Sequence, residues 1–115
     1  MKLKDVKEIL EADIISGEEL LDEEVCAACG SDLMSDVLAF VKDQGLLLTG
    51  LINPQVVRTA EMMDMKAIVF VRGKAPDAPI IKLAEQNEII LMSTKYPLYV
   101  ACGRLYSAGL DGKKV

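Results

Sequence analysis

Three short apolar runs recur along the second half of the chain, and this recurrence constrains the fold more than any other feature. The runs are Leu46–Leu48, Ala67–Val71 and Ile89–Met92, and each is followed by a turn and a stretch with helical apolar spacing. Their residues are apolar at consecutive positions, which is typical of parallel strands that helices cover on both faces. The pattern predicts successive strand–helix units, with Ala67–Val71 as the central strand.

The segments that link these runs carry helix-start signals. Asn53 precedes Pro54, which matches an N-cap followed by proline at the first helical position, and Asp77 can cap a helix that extends to Gln86. Apolar residues at helical spacing predict the buried face of each helix. These positions are Val56, Val57, Ala60 and Met63 in one helix, Ile80, Ile81 and Ala84 in the next, and Leu98, Cys102 and Leu105 in the last.

The first 41 residues predict four further elements. Leu3, Val6, Ile9 and Leu10 have the spacing of a helix, and a second helix is expected at 33–41. Short strands are expected at 13–16 and 25–28, whereas residues 18–24 fit neither pattern. Together the elements predict an α/β fold, a three-layer sandwich with a mixed, mainly parallel sheet, and all 115 residues in a single domain.

Charge and composition limit the classes of partner. The net charge is −5, and half of the 18 acidic residues precede Val25, so a phosphate-tracking groove for nucleic acid is not expected. No apolar run approaches the roughly 20 residues of a membrane span, and the first residues lack the apolar core of a signal peptide. Three cysteines form no disulfide framework. We therefore expect a cytoplasmic protein that binds neither membrane nor nucleic acid.

The residue types of common catalytic sites are missing from this sequence. It contains no histidine, which excludes Ser-His-Asp and Cys-His catalysis, and neither G-x-x-x-x-G-K-[ST] nor G-x-G-x-x-G occurs. Asp32 and Asp36 would share one helix face, but acidic residues near a helix start stabilise the helix without chemistry. We expect a binding protein rather than an enzyme.

Small polar and cationic residues follow the predicted strands, and ligands of open α/β sheets bind where the loops at the carboxyl ends of strands converge. Hydroxyls, glycines and cations there would suit an anionic or nucleotide-like ligand. The alternative is that the glycines only form turns and that Asp32, Asn53 and Asp77 only cap helices. Ser31 is the better ligand donor, because a capping Asp32 would repel an anion. The candidate residues are Gly30, Ser31, Thr49, Gly50, Asn53, Arg72, Gly73, Ser93, Thr94 and Lys95.

The cysteines permit a second hypothesis. Cys26 and Cys29 have the spacing of a redox dithiol or half of a metal site, and Cys102 would be a third ligand. A zinc or iron–sulfur site normally has four protein ligands, and an odd offset in a strand points two side chains to opposite faces. We expect structural thiols and no metal, with an iron–sulfur cluster as the alternative. On the last helix, Tyr99 and Tyr106 form either an exposed homodimer stripe or part of the core.

Five segments carry a family resemblance: Gly30–Leu38, Leu48–Gly50, Asn53-Pro54, Ala67–Gly73 and Leu91–Lys95. They resemble the DRTGG domain family, which is similar to the N-terminal domain of HPr kinase/phosphorylase. The resemblance extends from about residue 14 to 109 and departs at Cys26-Ala-Ala-Cys29-Gly30, where Thr-Gly-Gly is typical of the family. It implies a three-layer α/β regulatory module that dimerises and acts on a protein partner.

The resemblance and the strand-end loops together predict a function. We expect a non-catalytic homodimeric module that senses a small ligand, such as an adenine nucleotide or a similar anionic metabolite, and transmits its occupancy to a protein partner. Kinase activity is not expected without a phosphate loop. Free-standing relatives of this kind carry iron–sulfur or hydrogenase-associated labels, which keeps the cysteine hypothesis as the alternative.

Overall fold

A computed structural model describes residues 1–40 and 45–111. Within them the chain alternates between helices and strands, and a single 3-10 turn at Glu18–Leu20 occupies part of the segment that the sequence left unassigned. The strands are β1 (Asp13–Ser16), β2 (Ala28–Gly30), β3 (Leu46–Thr49), β4 (Ala67–Phe70) and β5 (Ile90–Ser93). The helices are α1 (Leu3–Ile9), α2 (Met34–Phe40), α3 (Pro54–Met62), α4 (Ala78–Gln86) and α5 (Leu98–Ser107).

The five strands form one mixed sheet in the order β1-β5-β4-β3-β2. Strands β2 to β5 are parallel, and β1 pairs with β5 in the antiparallel direction at one edge. Strand β4 is central, as its apolar run predicted. All residues of β3 and β4 are buried, because helices cover the sheet on both sides.

Alternate strand residues contribute to two separate cores, which is the period-2 rule for a sheet covered on both faces. Leu48, Val69 and Met92 pack on the side of α1 and α5. Leu47, Ile68 and Leu91 pack on the side of α2, α3 and α4. The predicted three-layer sandwich and mainly parallel sheet are therefore confirmed.

Local capping signals placed two helices correctly. Asn53 Oδ1 accepts a hydrogen bond from the Val56 amide at 3.3 Å, and Pro54 is the first residue of α3. Asp77 Oδ1 accepts from the Ile80 amide at 3.2 Å, and α4 ends at Gln86 as predicted. Each carboxylate or amide oxygen satisfies one backbone donor that the first helical turn leaves free.

The predicted second strand was wrong in position. It was expected at 25–28, whereas β2 is Ala28–Gly30. Val25 is buried against α1, and its amide donates to the Met1 carbonyl at 2.8 Å, so its apolar character serves the packing of the chain start instead of the sheet. The helix expected at 33–41 is α2, which begins at Met34; Val41 lies outside the described residues. No described helix has the length and apolar character needed to cross a bilayer.

Candidate functional site

The four parallel strands end side by side, so the loops that follow them meet at one edge of the sheet. We call this edge the strand-end rim. It consists of Ser31 and Asp32 after β2, Thr49 at the end of β3 with Gly50 after it, Arg72 to Lys74 after β4, and Ser93 at the end of β5.

Asp32 links three of these loops. Its Oδ1 accepts hydrogen bonds from the Gly50 amide at 2.7 Å and from the Thr49 hydroxyl at 3.1 Å, while its Oδ2 lies 3.8 Å from Nη2 of Arg72. The interpretation of Asp32 as a helix cap was therefore wrong, because the carboxylate bonds across to the end of β3. Ser31 provides the local contact instead, since its hydroxyl oxygen accepts from the Leu33 amide at 3.0 Å.

Gly50 is the point on which the charged groups converge. Its amide donates to Asp32, and its carbonyl accepts from Lys74 Nζ at 3.0 Å. A Cβ at this position would lie 2.3 Å from Nη2 and 3.0 Å from Cζ of Arg72, closer than real contacts allow. The absence of a side chain at residue 50 therefore lets the guanidinium group lie directly over the backbone, a role beyond the turn that the sequence suggested.

A strained turn presents the two cations. Arg72 and Gly73 have φ angles of 60° and 70°, and the Lys74 amide donates to the Val71 carbonyl at 3.3 Å, which is the pattern of a type I′ turn. Glycine adopts this conformation freely, but for arginine a left-handed backbone costs about 1 kcal/mol or more. The surrounding structure must therefore stabilise Arg72 in this position.

Hydrogen bonds between this turn and the residues at the end of β5 provide that support. The Arg72 amide donates to the Tyr96 carbonyl at 2.9 Å, and the Gly73 amide donates to the Thr94 carbonyl at 2.8 Å. The Ser93 hydroxyl donates to the Lys74 carbonyl at 2.7 Å. Ser93 thus belongs to the rim through its role in fixing the turn.

The rim combines two cations and one carboxylate in a partly open setting. The side chains of Arg72 and Asp32 are 46% and 48% exposed, so water weakens their attraction and both can exchange partners. Backbone amides, a planar guanidinium and an ammonium group at one edge are the donor types that bind phosphate and carboxylate groups.

Four candidate residues have other contacts. Gly30 packs against α5, since a Cβ there would lie 2.5 Å from Cys102 Sγ. Asn53 caps α3, and the buried Thr94 hydroxyl donates to the Leu10 carbonyl at 2.7 Å. Lys95 lies in a different cleft.

That cleft has a volume of about 290 Å³ and adjoins β1. Lys95 shares it with Glu11, Asp13 and Tyr96. Arg104 stacks over the Tyr96 ring at 4.6 Å from its centroid, and the Tyr96 hydroxyl donates to Glu11, which raises the tyrosine pKa. These contacts join Glu11, which precedes β1, to α5, and Lys95 lines the cleft beside them.

Two rim residues were absent from the predicted candidates. Lys74 was not among them, and Asp32 was considered as a helix cap. A usable signal was present for Asp32, because it follows the end of a strand just as Gly50 and Arg72 do. What the sequence lacked was the information that the β2 and β3 ends are adjacent.

Cys29 and Cys102 pack on opposite faces of the sheet. Cys29 packs with the α2 and α3 core, Cys102 packs with the α1 and α5 core, and Cys26 is exposed. Burial raises the pKa of the Cys29 thiol, with smaller contributions from Cys102 and Asp36, and burial also raises the pKa of Cys102. Redox and metal-binding thiols have a lowered pKa instead. In residues 1–40 and 45–111, no three Cys, Asp or Glu side chains group as metal ligands.

The exposure of the last helix decides between two alternatives for its tyrosines. Tyr99 is 89% exposed and Tyr106 is 57% exposed, so the core-packing alternative was wrong for both. Together with Val100 and Gly103 they line an open groove of about 750 Å³ on the surface of α5. The predicted homodimer stripe is thus an exposed surface.

The fold and the rim define a three-layer α/β domain with a group of charged and polar side chains at the ends of its parallel strands. The family model for the DRTGG domain matches residues 5–108, and the chain belongs to this family. No curated protein sequence matches it.

A solved structure has the same fold. It contains the CBS and DRTGG domains of the regulatory region of Clostridium perfringens pyrophosphatase, complexed with the activator diadenosine tetraphosphate. The two chains are 16% identical with a TM-score of 0.71, and the match covers 90% of this chain. This chain spans 45% of that one, and at this identity the likeness establishes the fold alone.

Proposed function

We propose that this chain is a non-catalytic regulatory module that binds an anionic small molecule, such as an adenine nucleotide, at the strand-end rim. The convergence of Arg72 and Lys74 on the Gly50 backbone is the observation that carries the proposal. The activator-bound regulatory region of the Clostridium perfringens pyrophosphatase supports a regulatory role for a domain of this fold, without assigning the same ligand to this chain.

Electrostatics favour an anion at this position. The chain as a whole carries a net charge of −5, whereas Asp32, Arg72 and Lys74 together leave the rim with excess positive charge. Half of the acidic residues precede Val25, so most of that negative charge is remote in sequence from the rim loops. A phosphate group would find the planar donors of arginine, the ammonium of lysine and an open approach from solvent.

A thermal-stability screen tests the proposal directly. The wild-type chain is heated with diadenosine tetraphosphate, ATP, AMP or pyrophosphate, and adenosine serves as the uncharged comparison. A ligand at a hundredfold excess over its Kd stabilises the folded state by about 2.7 kcal/mol, which raises the melting temperature measurably. The absence of any shift with all four phosphate compounds would overturn the proposal.

Paired variants locate the binding site. Arg72→Gln and Lys74→Gln should each reduce the ligand-induced shift, since each removes one cation from the rim. Arg58→Gln and Lys82→Gln are matched controls, because both residues are exposed on helices. Each substitution removes one positive charge, as the rim variants do. A loss of binding in the controls as large as that in the rim variants would place the ligand elsewhere.

We further propose that the module self-associates through α5. The helix has one charged residue, Arg104, and its exposed tyrosines form an apolar surface, whereas the acidic chain start would repel a second copy. Tyr99→Glu should therefore convert the dimer to a monomer in sedimentation experiments, and Met62→Glu, at another exposed apolar position, should not. A wild-type monomer at high concentration would refute this proposal.

The proposed function uses no resident cofactor. The alternative, an iron–sulfur accessory role for Cys26, Cys29 and Cys102, predicts iron and acid-labile sulfide in protein purified without oxygen. The opposite placement of Cys29 and Cys102 and their raised pKa favour structural thiols. Stoichiometric iron with sulfide would reverse that preference.

A further inference from the structure

We propose that Asp32 is an internal competitor at the strand-end rim, and that an anionic ligand binds by taking Arg72 away from it. The inference rests on the proposed ligand site and assigns a specificity-determining residue within it. It would make the rim selective for anions that carry more than one negative charge.

The two carboxylate oxygens of Asp32 differ in their hydrogen bonding. Oδ1 accepts from two neutral donors, the Gly50 amide at 2.7 Å and the Thr49 hydroxyl at 3.1 Å, and Thr49 is fully buried. Oδ2 lies 3.8 Å from Arg72 Nη2, which is an ion pair but too long for a hydrogen bond. The carboxylate is therefore anchored through Oδ1, and its contact with Arg72 is the one that a ligand can replace.

Asp32 contacts the same groups that a phosphate would use. An anion between the loops would accept from the Arg72 guanidinium and lie near the Gly50 backbone, the groups that Asp32 contacts now. Exposed ion pairs of this kind contribute little to stability, so a stronger acceptor can displace the carboxylate. A doubly charged phosphate can bind the guanidinium through two oxygens, whereas a chloride or acetate has no such advantage.

Lys74 makes the exchange favourable. Its ammonium group bonds to the Gly50 carbonyl at 3.0 Å, a neutral acceptor, and is available to a second ligand oxygen. When Arg72 turns to the ligand, Asp32 keeps its two neutral donors and remains a nearby negative charge. This remaining repulsion is the quantity that a substitution at residue 32 should remove.

The Asp32→Asn substitution removes the negative charge at residue 32 and keeps a hydrogen-bond acceptor there. The amide oxygen can still accept from the Gly50 amide and the Thr49 hydroxyl, but the negative charge is gone. With pyrophosphate as probe at constant ionic strength, we expect Asp32→Asn to bind about three- to tenfold more tightly than the wild type. Asp36→Asn is the matched control, an exposed acid four residues along the chain, and should change affinity less than twofold.

Titration calorimetry distinguishes two proposals: that the rim binds anions, and that Asp32 competes with the anion for Arg72. Tighter binding by Asp32→Asn, with weaker binding by Arg72→Gln, supports both the site and the competition. If the wild type binds pyrophosphate and Asp32→Asn binds equally or more weakly, the competition is refuted while the site stands. If neither protein binds pyrophosphate, diadenosine tetraphosphate or ATP, the proposed site fails, and the competition fails with it.

An NMR titration of the wild type tests the exchange without any variant. Addition of pyrophosphate should shift the Arg72 side-chain Nε–H signal along a saturation curve. The Gly50 amide signal, which reports its bond to Asp32, should change along the same curve. Saturable binding with an unmoved Arg72 signal would refute the proposal, even if Asp32→Asn failed to fold.

Discussion

The Gly50→Ala substitution should weaken anion binding without impairing folding. The three atoms nearest to the added Cβ all belong to the Arg72 guanidinium, at 2.3, 3.0 and 3.5 Å. The methyl group must therefore displace the end of one flexible side chain. We expect the variant to fold normally and to lose most of its affinity for anions.

The expected stability change is small because its components nearly cancel. Expelling Arg72 removes a half-exposed ion pair with Asp32, which contributes less than about 1 kcal/mol. Replacing glycine by alanine lowers the entropy of the unfolded chain and stabilises the fold by about 0.4–1 kcal/mol where the backbone is compatible. The free energy of unfolding should therefore change by less than about 1 kcal/mol.

The effect on binding should be much larger. A hydrogen bond to a charged group contributes about 1.5–3 kcal/mol, so loss of the Arg72 contact should weaken pyrophosphate binding by roughly ten- to a hundredfold. Urea denaturation measures the first quantity, and titration calorimetry measures the second. Gly103→Ala is the control, because a Cβ there meets nothing within 4 Å and should leave anion binding intact.

Two results would refute this reasoning. Unchanged pyrophosphate affinity in Gly50→Ala would mean that the guanidinium position over residue 50 is irrelevant to binding. A loss of more than about 2 kcal/mol in stability would mean that the backbone at Gly50 cannot accept any side chain.

Three further predictions concern the fold. Gly45→Ala should destabilise the chain by about 2 kcal/mol or more, because the new Cβ would lie 2.0 Å from the Ala27 carbonyl oxygen; a wild-type urea midpoint would contradict it. Thr94→Val should lower the free energy of unfolding by about 1–2 kcal/mol, since the buried Leu10 carbonyl loses its hydroxyl donor; unchanged stability would show that water replaces it. The raised pKa of Cys29 means that the folded state holds its thiol proton longer than the unfolded chain. Its contribution is therefore complete below the ordinary value of 9.0 and decreases as the pH rises through and above it. Stability measured from pH 7 to 10 should fall less steeply in Cys29→Ala, and equal slopes would refute this assignment.

The elements that local sequence predicted well are those whose signals do not depend on distant residues. The apolar runs of β3, β4 and β5 are continuous because these strands are buried on both faces, so neighbouring residues alone identify them. Asn53 and Asp77 cap helices through bonds to residues three positions away. Both kinds of information are contained within a few residues.

Strand β2 was misplaced for the converse reason. It has three residues, lies at the sheet edge, and none of the three is fully buried, so its own pattern contains little signal. Val25 provided a stronger apolar signal nearby, but its partner is the chain start. Only pairing with β3, through registers such as Cys29 with Leu47, fixes where β2 lies.

The amino-acid sequence by itself determined the α/β class, the buried strands and the two capped helices, because each depends on apolar periodicity or on contacts within one helical turn. The tertiary structure alone decided that Asp32 belongs to the strand-end rim. Its partners Gly50 and Arg72 lie far along the chain, and they become neighbours only when β2, β3 and β4 align in parallel. A carboxylate near a helix start satisfies the local rule for a cap, and the hydrogen-bond donors that attract it elsewhere exist only in the assembled sheet.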